Sequence, residues 1–164
     1  MFIFGHIGLS FAALYVLGRK IKNIDYRFLI LGSLLPDIID KPLGLVVFAD
    51  TLYNGRIIAH TAVFALAVSV LSLRARKLRM LSAGIWLHLL MDFMFLYPET
   101  LLWPAFGGFR PLDYRPDFVV QLISNPYTYA GEIAGFSFLM YIFVKYRLYR
   151  RENFMRFVRT GKLE

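Results

Sequence analysis

Apolar residues fall into five long stretches, 2–18, 28–49, 57–73, 81–97 and 132–144. Each is close to the ~17–25 residues that a membrane-spanning helix needs, and the last is short. Tyr146, Leu148 and Tyr149 extend it, with Lys145 and Arg147 reaching outward along their aliphatic stems. The pattern predicts an all-α fold: a polytopic integral membrane helix bundle with about five spanning segments, forming one transmembrane domain over residues 1–164. The second stretch carries Pro36 and Pro42. Proline removes a helical hydrogen bond and clashes with the preceding turn, so the spanning helix is expected to break at residues 36–42. Irregular backbone at membrane depth survives only inside protein or beside a wet cavity. The expected break therefore points to a polar interior.

The polar exceptions inside these stretches share a depth. His6, Asp40, His60, Asp92 and Glu132 each lie thirteen or fourteen residues from the basic residue at the edge of their stretch, namely Arg19, Arg27, Arg74, Arg79 and Lys145. At about 1.5 Å per residue that places all five roughly 20 Å above the basic edge. Ionisable groups in the bilayer core are expensive unless they meet one another or a metal.

Composition agrees with a membrane setting. Hydrophobic residues make up 58% of the chain and the mean hydropathy is +0.55, too apolar for a soluble domain of 164 residues. The absence of cysteine excludes disulfides, thiolate metal sites and cysteine nucleophiles. The net charge of +8 does not indicate nucleic-acid binding. Most lysines and arginines flank the apolar stretches: Arg19, Lys20, Lys22 and Arg27; Arg74, Arg76, Lys77 and Arg79; and seven from Lys145 to Lys162. Five alternating spans put all three clusters on one side, which the positive-inside rule makes cytoplasmic. The N-terminus is then outside, the C-terminus inside, and the polar layer lies in the outer half of the membrane. Residues 98–130, with Trp103, Phe106, Phe109, Tyr114, Phe118, Tyr127 and Tyr129, suit an extracytoplasmic interfacial segment or a lid. Residues 145–164 form a basic cytoplasmic tail suited to anionic lipid. Residues 2–18 lack a basic leader and a convincing cleavage site, and are expected to be retained.

All three histidines, His6, His60 and His88, sit inside apolar stretches. His88 and Asp92, four residues apart, share a helix face. Imidazole with carboxylate is a ligand set for zinc, manganese or iron, so His6, Asp37, Asp40, His60, His88 and Asp92 are the candidate ligands of one or more divalent ions. Asp37 and Asp40, three apart, could both turn inward, or one could support a ligand. Glu132 is a candidate ligand, general base or helix-end carboxylate. Arg56, one turn before His60, is a candidate phosphate holder or a structural partner for Asp37 or Asp40. Lys41 is a weaker anion-binding candidate. Asp50, Asp113 and Asp117 read as solvated loop residues.

Several motifs occur in order: Gly5-His6; Gly32-Ser33-Leu34-Leu35-Pro36-Asp37-Ile38-Ile39-Asp40; Gly55-Arg56-Ile57-Ile58-Ala59-His60-Thr61; His88-Leu89-Leu90-Met91-Asp92; and Pro98-Glu99-Thr100-Leu101-Leu102-Trp103-Pro104. Together they resemble the YdjM-like family of membrane-bound metal-dependent hydrolases, over about the first two-thirds of the chain. Compared with that family's pattern, this chain has an extra residue between its aspartates and Lys41 after them. Gly55 stands where the pattern has a histidine, and Thr61 where it has a serine. The family is distantly similar to zinc-dependent phospholipase C and single-strand nucleases, a resemblance that implies phosphoester hydrolysis.

The expected function is a membrane metallohydrolase, zinc-dependent by preference, acting on a phosphoester of a lipid or lipid-linked substrate. A metal-stabilised, non-catalytic membrane scaffold is the alternative. A transporter fits less well, because the inner halves of the stretches hold mainly apolar residues, with scattered serines such as Ser10, Ser69, Ser82 and Ser137.

Overall fold

The computed structural model describes residues 2–17, 24–75, 77–112 and 118–163, and among them the chain is all-α with no strand. Arg19, Lys20, Lys22 and Arg76 of the basic clusters, together with Asp113, Tyr114 and Asp117, lie outside the described residues.

The first stretch forms α1, Ile3–Leu17. The second forms α2, Tyr26–Pro42, whose N-cap Asp25 accepts the backbone N–H of Arg27. The Arg27 side chain also binds Asp25, through Nε at 3.0 Å and Nη2 at 2.7 Å. This hydrogen bonding holds the Asp25 carboxyl below its ordinary value.

The expected break at residues 36–42 is absent. Helix α2 runs through Pro36 and continues after Pro42 into a π-helical turn, Leu43–Val47. Pro36 has no N–H to offer the Gly32 carbonyl four residues back. One residue on, the carbonyl of Ser33 accepts the His88 ring at 2.7 Å. The chain leaves α-helical winding one turn later than expected.

A short 3₁₀ turn, Ile58–His60, leads into α3, Ala62–Arg74, which Thr61 caps by accepting the N–H of Phe64. Then come α4, Leu78–Met91; a second 3₁₀ turn, Met94–Leu96; the short α5, Pro98–Leu101; α6, Phe118–Ser124; α7, Pro126–Lys145; and α8, Arg151–Thr160. Asn125 caps α7 through the N–H groups of Tyr127 and Thr128. The last apolar stretch is therefore longer than the sequence implied, and the expected outer segment 98–130 contributes its first turn.

Two helix pairs, α2 with α4 and α1 with α7, dominate the packing, while α3 lies against α4 and α1 against α2. Glycine permits the close approach. A Cβ at Gly32 would strike the carbonyl of Leu81, and one at Gly135 the carbonyl of Phe4. Small residues at such crossings let backbones meet and dispersion contacts accumulate. Phe11, Leu14, Tyr26, Leu29 and Ile142 form one buried apolar cluster, and Ala65, Ile85, Leu89 and Met94 a second.

Helix α8 docks on the start of α2. Arg27 donates to the carbonyls of Val158 and Arg159 at 2.9 and 2.6 Å, and the N–H of Tyr26 donates to Gly161 O. Gly161 turns with φ of 71°, and a Cβ there would strike Asp25.

The outer faces remain apolar, with Val63, Leu66, Val70, Leu71 and Leu73 of α3 and Ile133, Phe136, Met140 and Val144 of α7 all exposed. Among the described residues, no helix is long and apolar enough to cross a membrane. Helices α1 to α4 run 15, 17, 13 and 14 residues, and the turns at His60 and Asp92 are what cut α3 and α4 short.

Candidate metal centre

Four elements bring the three histidines together. His6 lies on α1, His60 on the 3₁₀ turn and His88 on α4, all fully buried, and α2 supplies Asp37 and Asp40. The His6 and His88 rings stack at 4.0 Å between centroids, and His60 meets His88 edge-on at 5.1 Å. Asp92, where α4 ends, places Oδ1 3.3 Å from His6 Nε2 and Oδ2 4.0 Å from His60 Nε2. Asp37 Oδ1 lies 3.7 Å from His60 Nε2 and 3.9 Å from His88 Nε2. Two triads, His6–Asp37–His88 and His60–His88–Asp92, each have ligating atoms within 4.8 Å of one another.

Asp40 departs from the expected ligand set. Its Oδ2 accepts from the N–H groups of Ile57 and His60 and from His60 Nδ1, and its Oδ1 accepts from the N–H of Ala59. The carboxylate gathers the N–H groups opening the 3₁₀ turn and holds the far side of the His60 ring. It is in neither triad. Of the two aspartates on α2, Asp37 turns to the histidines and Asp40 stands behind one of them.

Glu132 also departs from the catalytic and ligand readings. Its two oxygens accept the N–H groups of Phe2, Phe4 and Gly5, at 2.9, 3.0 and 2.8 Å. The carboxylate caps α1 across the chain, because the first N–H groups of a helix have no partner within it. Its influence on the centre runs through the helix that carries His6.

Arg56 pairs with Asp92, through Nε at 3.1 Å and Nη2 at 2.9 Å on Oδ2, rather than with Asp37 or Asp40. Lys41 donates to Asp37 Oδ2 at 2.6 Å. Both cations border a cavity of about 670 Å³ that reaches Asp37 and Asp92 and is walled by Tyr97 and Tyr127. Three contributors were not read from sequence. Ser33 orients His88, Asn54 fixes the backbone of Arg56 at 2.9 Å, and the Tyr127 hydroxyl ties α7 to Met91 O at 2.6 Å. Ser33 stood within the motif at residues 32–40 and Tyr127 among the aromatics of 98–130, with no sign of these contacts.

Hydrogen bonding dictates the chemistry of the two central rings. His60 Nδ1 faces a carboxylate and His88 Nδ1 faces a carbonyl, both pure acceptors. Each Nδ1 must therefore carry a proton, which leaves a lone pair on each Nε2 of the neutral rings. Those two Nε2 atoms lie 3.1 Å apart. Two lone pairs at that distance repel unless a cation, proton or metal, stands between or beside them. His6 Nδ1 is buried with no hydrogen-bond partner among the described residues, and His6 Nε2 faces Asp92 Oδ1 at 3.3 Å. Imidazoles presenting Nε2, fixed from behind and accompanied by carboxylates, are a donor set that fits a divalent metal.

These features define a helical protein with a buried histidine–aspartate centre beneath an open cavity. Residues 1–154 match the family model described as YdjM inner membrane protein, and the chain belongs to that family. No curated protein and no solved structure matches the chain.

Proposed function

We propose that the protein is a membrane-embedded metal-dependent hydrolase that cleaves a phosphoester of a lipid or lipid-linked substrate. The observation that carries this reading is the pair of His60 and His88 Nε2 atoms, 3.1 Å apart, with both Nδ1 atoms committed to acceptors. A divalent ion, zinc by preference, would be held by His6, Asp37, His60, His88 and Asp92, and would supply Lewis-acid polarisation and acidified water. Asp40 keeps the His60 ring oriented, and the Ser33 carbonyl does the same for His88. Arg56 is a fixed positive charge beside the centre, suited to a departing anion. The cavity favours catalysis over the scaffold alternative, since a structural metal site is closed by protein on every side.

The membrane reading rests on the family and on the exposed apolar faces of α3 and α7. The seventeen residues of α2 and the five of its π-helical continuation together reach about 33 Å, close to a hydrocarbon core. The basic ends of the helices face the cytoplasm and the centre lies in the outer half, where a lipid reaches the cavity sideways. Cysteine labelling tests the orientation cleanly in a chain without native cysteine. Labelling of an Arg74→Cys variant from outside intact cells would refute it. Metal analysis of the purified protein, then a phospholipid hydrolysis screen with and without chelator, tests the activity. A folded, fully metallated protein that cleaves no phosphoester across a broad lipid panel would sink the proposal.

A further inference from the structure

The two cations beside the centre are built in. Lys41 follows Asp37 by one turn of α2, and a Cβ at Gly55 would lie 3.3 Å from the Lys41 Cγ, so glycine there leaves room for the lysine stem. Arg56 is fixed by Asn54 at its backbone and lies over the Tyr97 ring at 5.5 Å. Each cation shares a carboxylate with a histidine. Asp37 gives Oδ2 to Lys41 and turns Oδ1 to His60 and His88. Asp92 gives Oδ2 to Arg56 and turns Oδ1 to His6. The side chains of Lys41 and Arg56 are 35% and 38% exposed, so both reach the cavity as well as their acids. Arg110 at the rim is paired with Glu99 and adds no net charge.

The charge balance sets a condition. With neutral imidazoles, the three carboxylates Asp37, Asp40 and Asp92 stand beside two paired side-chain cations, Lys41 and Arg56. One divalent ion would add two positive charges among them. It would also draw on the carboxylates of Asp37 and Asp92, and so leave Lys41 and Arg56 freer to meet an anion in the cavity. We propose, resting on the metal reading above, that Lys41 and Arg56 form a subsite for a phosphoryl anion that operates only when the centre is metallated. Metal and anion then bind with positive and reciprocal coupling.

The test is isothermal titration of the full-length protein in detergent, either zinc-loaded or chelated, with inorganic phosphate and, separately, a short-chain phosphatidate. The zinc-loaded protein should bind at least about tenfold more tightly than the chelated one. Lys41→Met and Arg56→Met should each weaken binding by about tenfold with zinc stoichiometry unchanged, as loss of a charge-assisted contact requires. Lys41→Arg should retain binding, which separates lost charge from damaged folding. Capture of phosphatidate alone, lost in Lys41→Met, supports the proposal with a lipid headgroup as source. Equal capture of phosphate supports it with the free anion as source. Zinc uptake without anion binding, or binding indifferent to both methionine variants, overturns this inference alone. Failure to take up zinc overturns the metal reading and this inference together.

Discussion

Replacing Asp40 by asparagine separates a residue that supports a ligand from one that is a ligand. Three donors converge on Oδ2, at 2.7 to 3.1 Å, and one on Oδ1 at 2.9 Å. An asparagine that turns its carbonyl oxygen to the three donors leaves its amide group facing the N–H of Ala59. A buried donor without an acceptor costs about 1–3 kcal/mol, and the three remaining bonds each lose roughly 1 kcal/mol of charge assistance. Removing a fully buried charge relieves its desolvation cost and offsets part of this. The net expectation is a loss of roughly 2–4 kcal/mol, read as a lower thermal midpoint of the purified protein. His60 keeps a partner for Nδ1, so its Nε2 still faces the centre with reduced basicity. Second partners of ligand histidines are worth about 10–100-fold in metal affinity. Zinc competition against a chromophoric chelator should therefore show Asp40→Asn binding about 10–100-fold more weakly while still reaching full occupancy. Native affinity would mean that His60 is not part of the centre. A folded variant that takes up no zinc at any concentration would mean that Asp40 is itself a ligand.

Glu132→Gln should cost about 1–2 kcal/mol of stability through the weakened cap on α1, with zinc occupancy and turnover retained. Lost turnover at full occupancy would restore the general-base role. Gly135→Ala should lower stability by about 1–3 kcal/mol, because the methyl group meets the Phe4 backbone and α1 must shift; an unchanged melting temperature would contradict that packing. Asp25 titrates below its ordinary value because Arg27 holds it charged. Its contribution is thus complete above the ordinary aspartate range and is lost as pH falls through the lower folded value. Asp25→Asn should be destabilised relative to the parent by up to about 1 kcal/mol near pH 6, a difference that disappears in acid. A pH-independent difference would exclude the ion pair as its cause.

The sequence could reveal that polar groups recur at matching distances from basic residues, and His6, His60, His88 and Asp92 do converge in the structure. It could not reveal direction. Asp37 and Asp40, three residues apart on one helix, differ in role because Asp40 accepts the backbone N–H groups of the turn at Ile57–His60 while Asp37 meets the His60 ring only from its Nε2 side, a tertiary fact. Glu132 was level with His6 for a reason the depth pattern did not contain: it stands at the end of His6's helix instead of beside the histidine. The proline signal at Pro36 was real but misread. The helix runs on through Pro36, and the polar feature beside that proline is the Ser33 carbonyl, which accepts the His88 ring. The shortness of the helices follows from the same polar positions, since a turn rather than helix carries His60 and α4 stops at Asp92.

The cap that Glu132 places on α1 has a consequence for synthesis. The glutamate lies 127 to 130 residues beyond the N–H groups it binds. Until the ribosome has delivered α7, the first turn of α1 lacks its acceptor and His6 lacks a fixed height in the bundle. His60, His88 and the aspartates of α2 can assemble earlier, from elements close in the chain. The nascent protein thus passes through a stage in which α1 is uncapped, and α7 ends it by gripping the first helix. A chain that stops before α7 would carry His6 on an uncapped helix, so the support of the first helix waits on a residue far along the sequence.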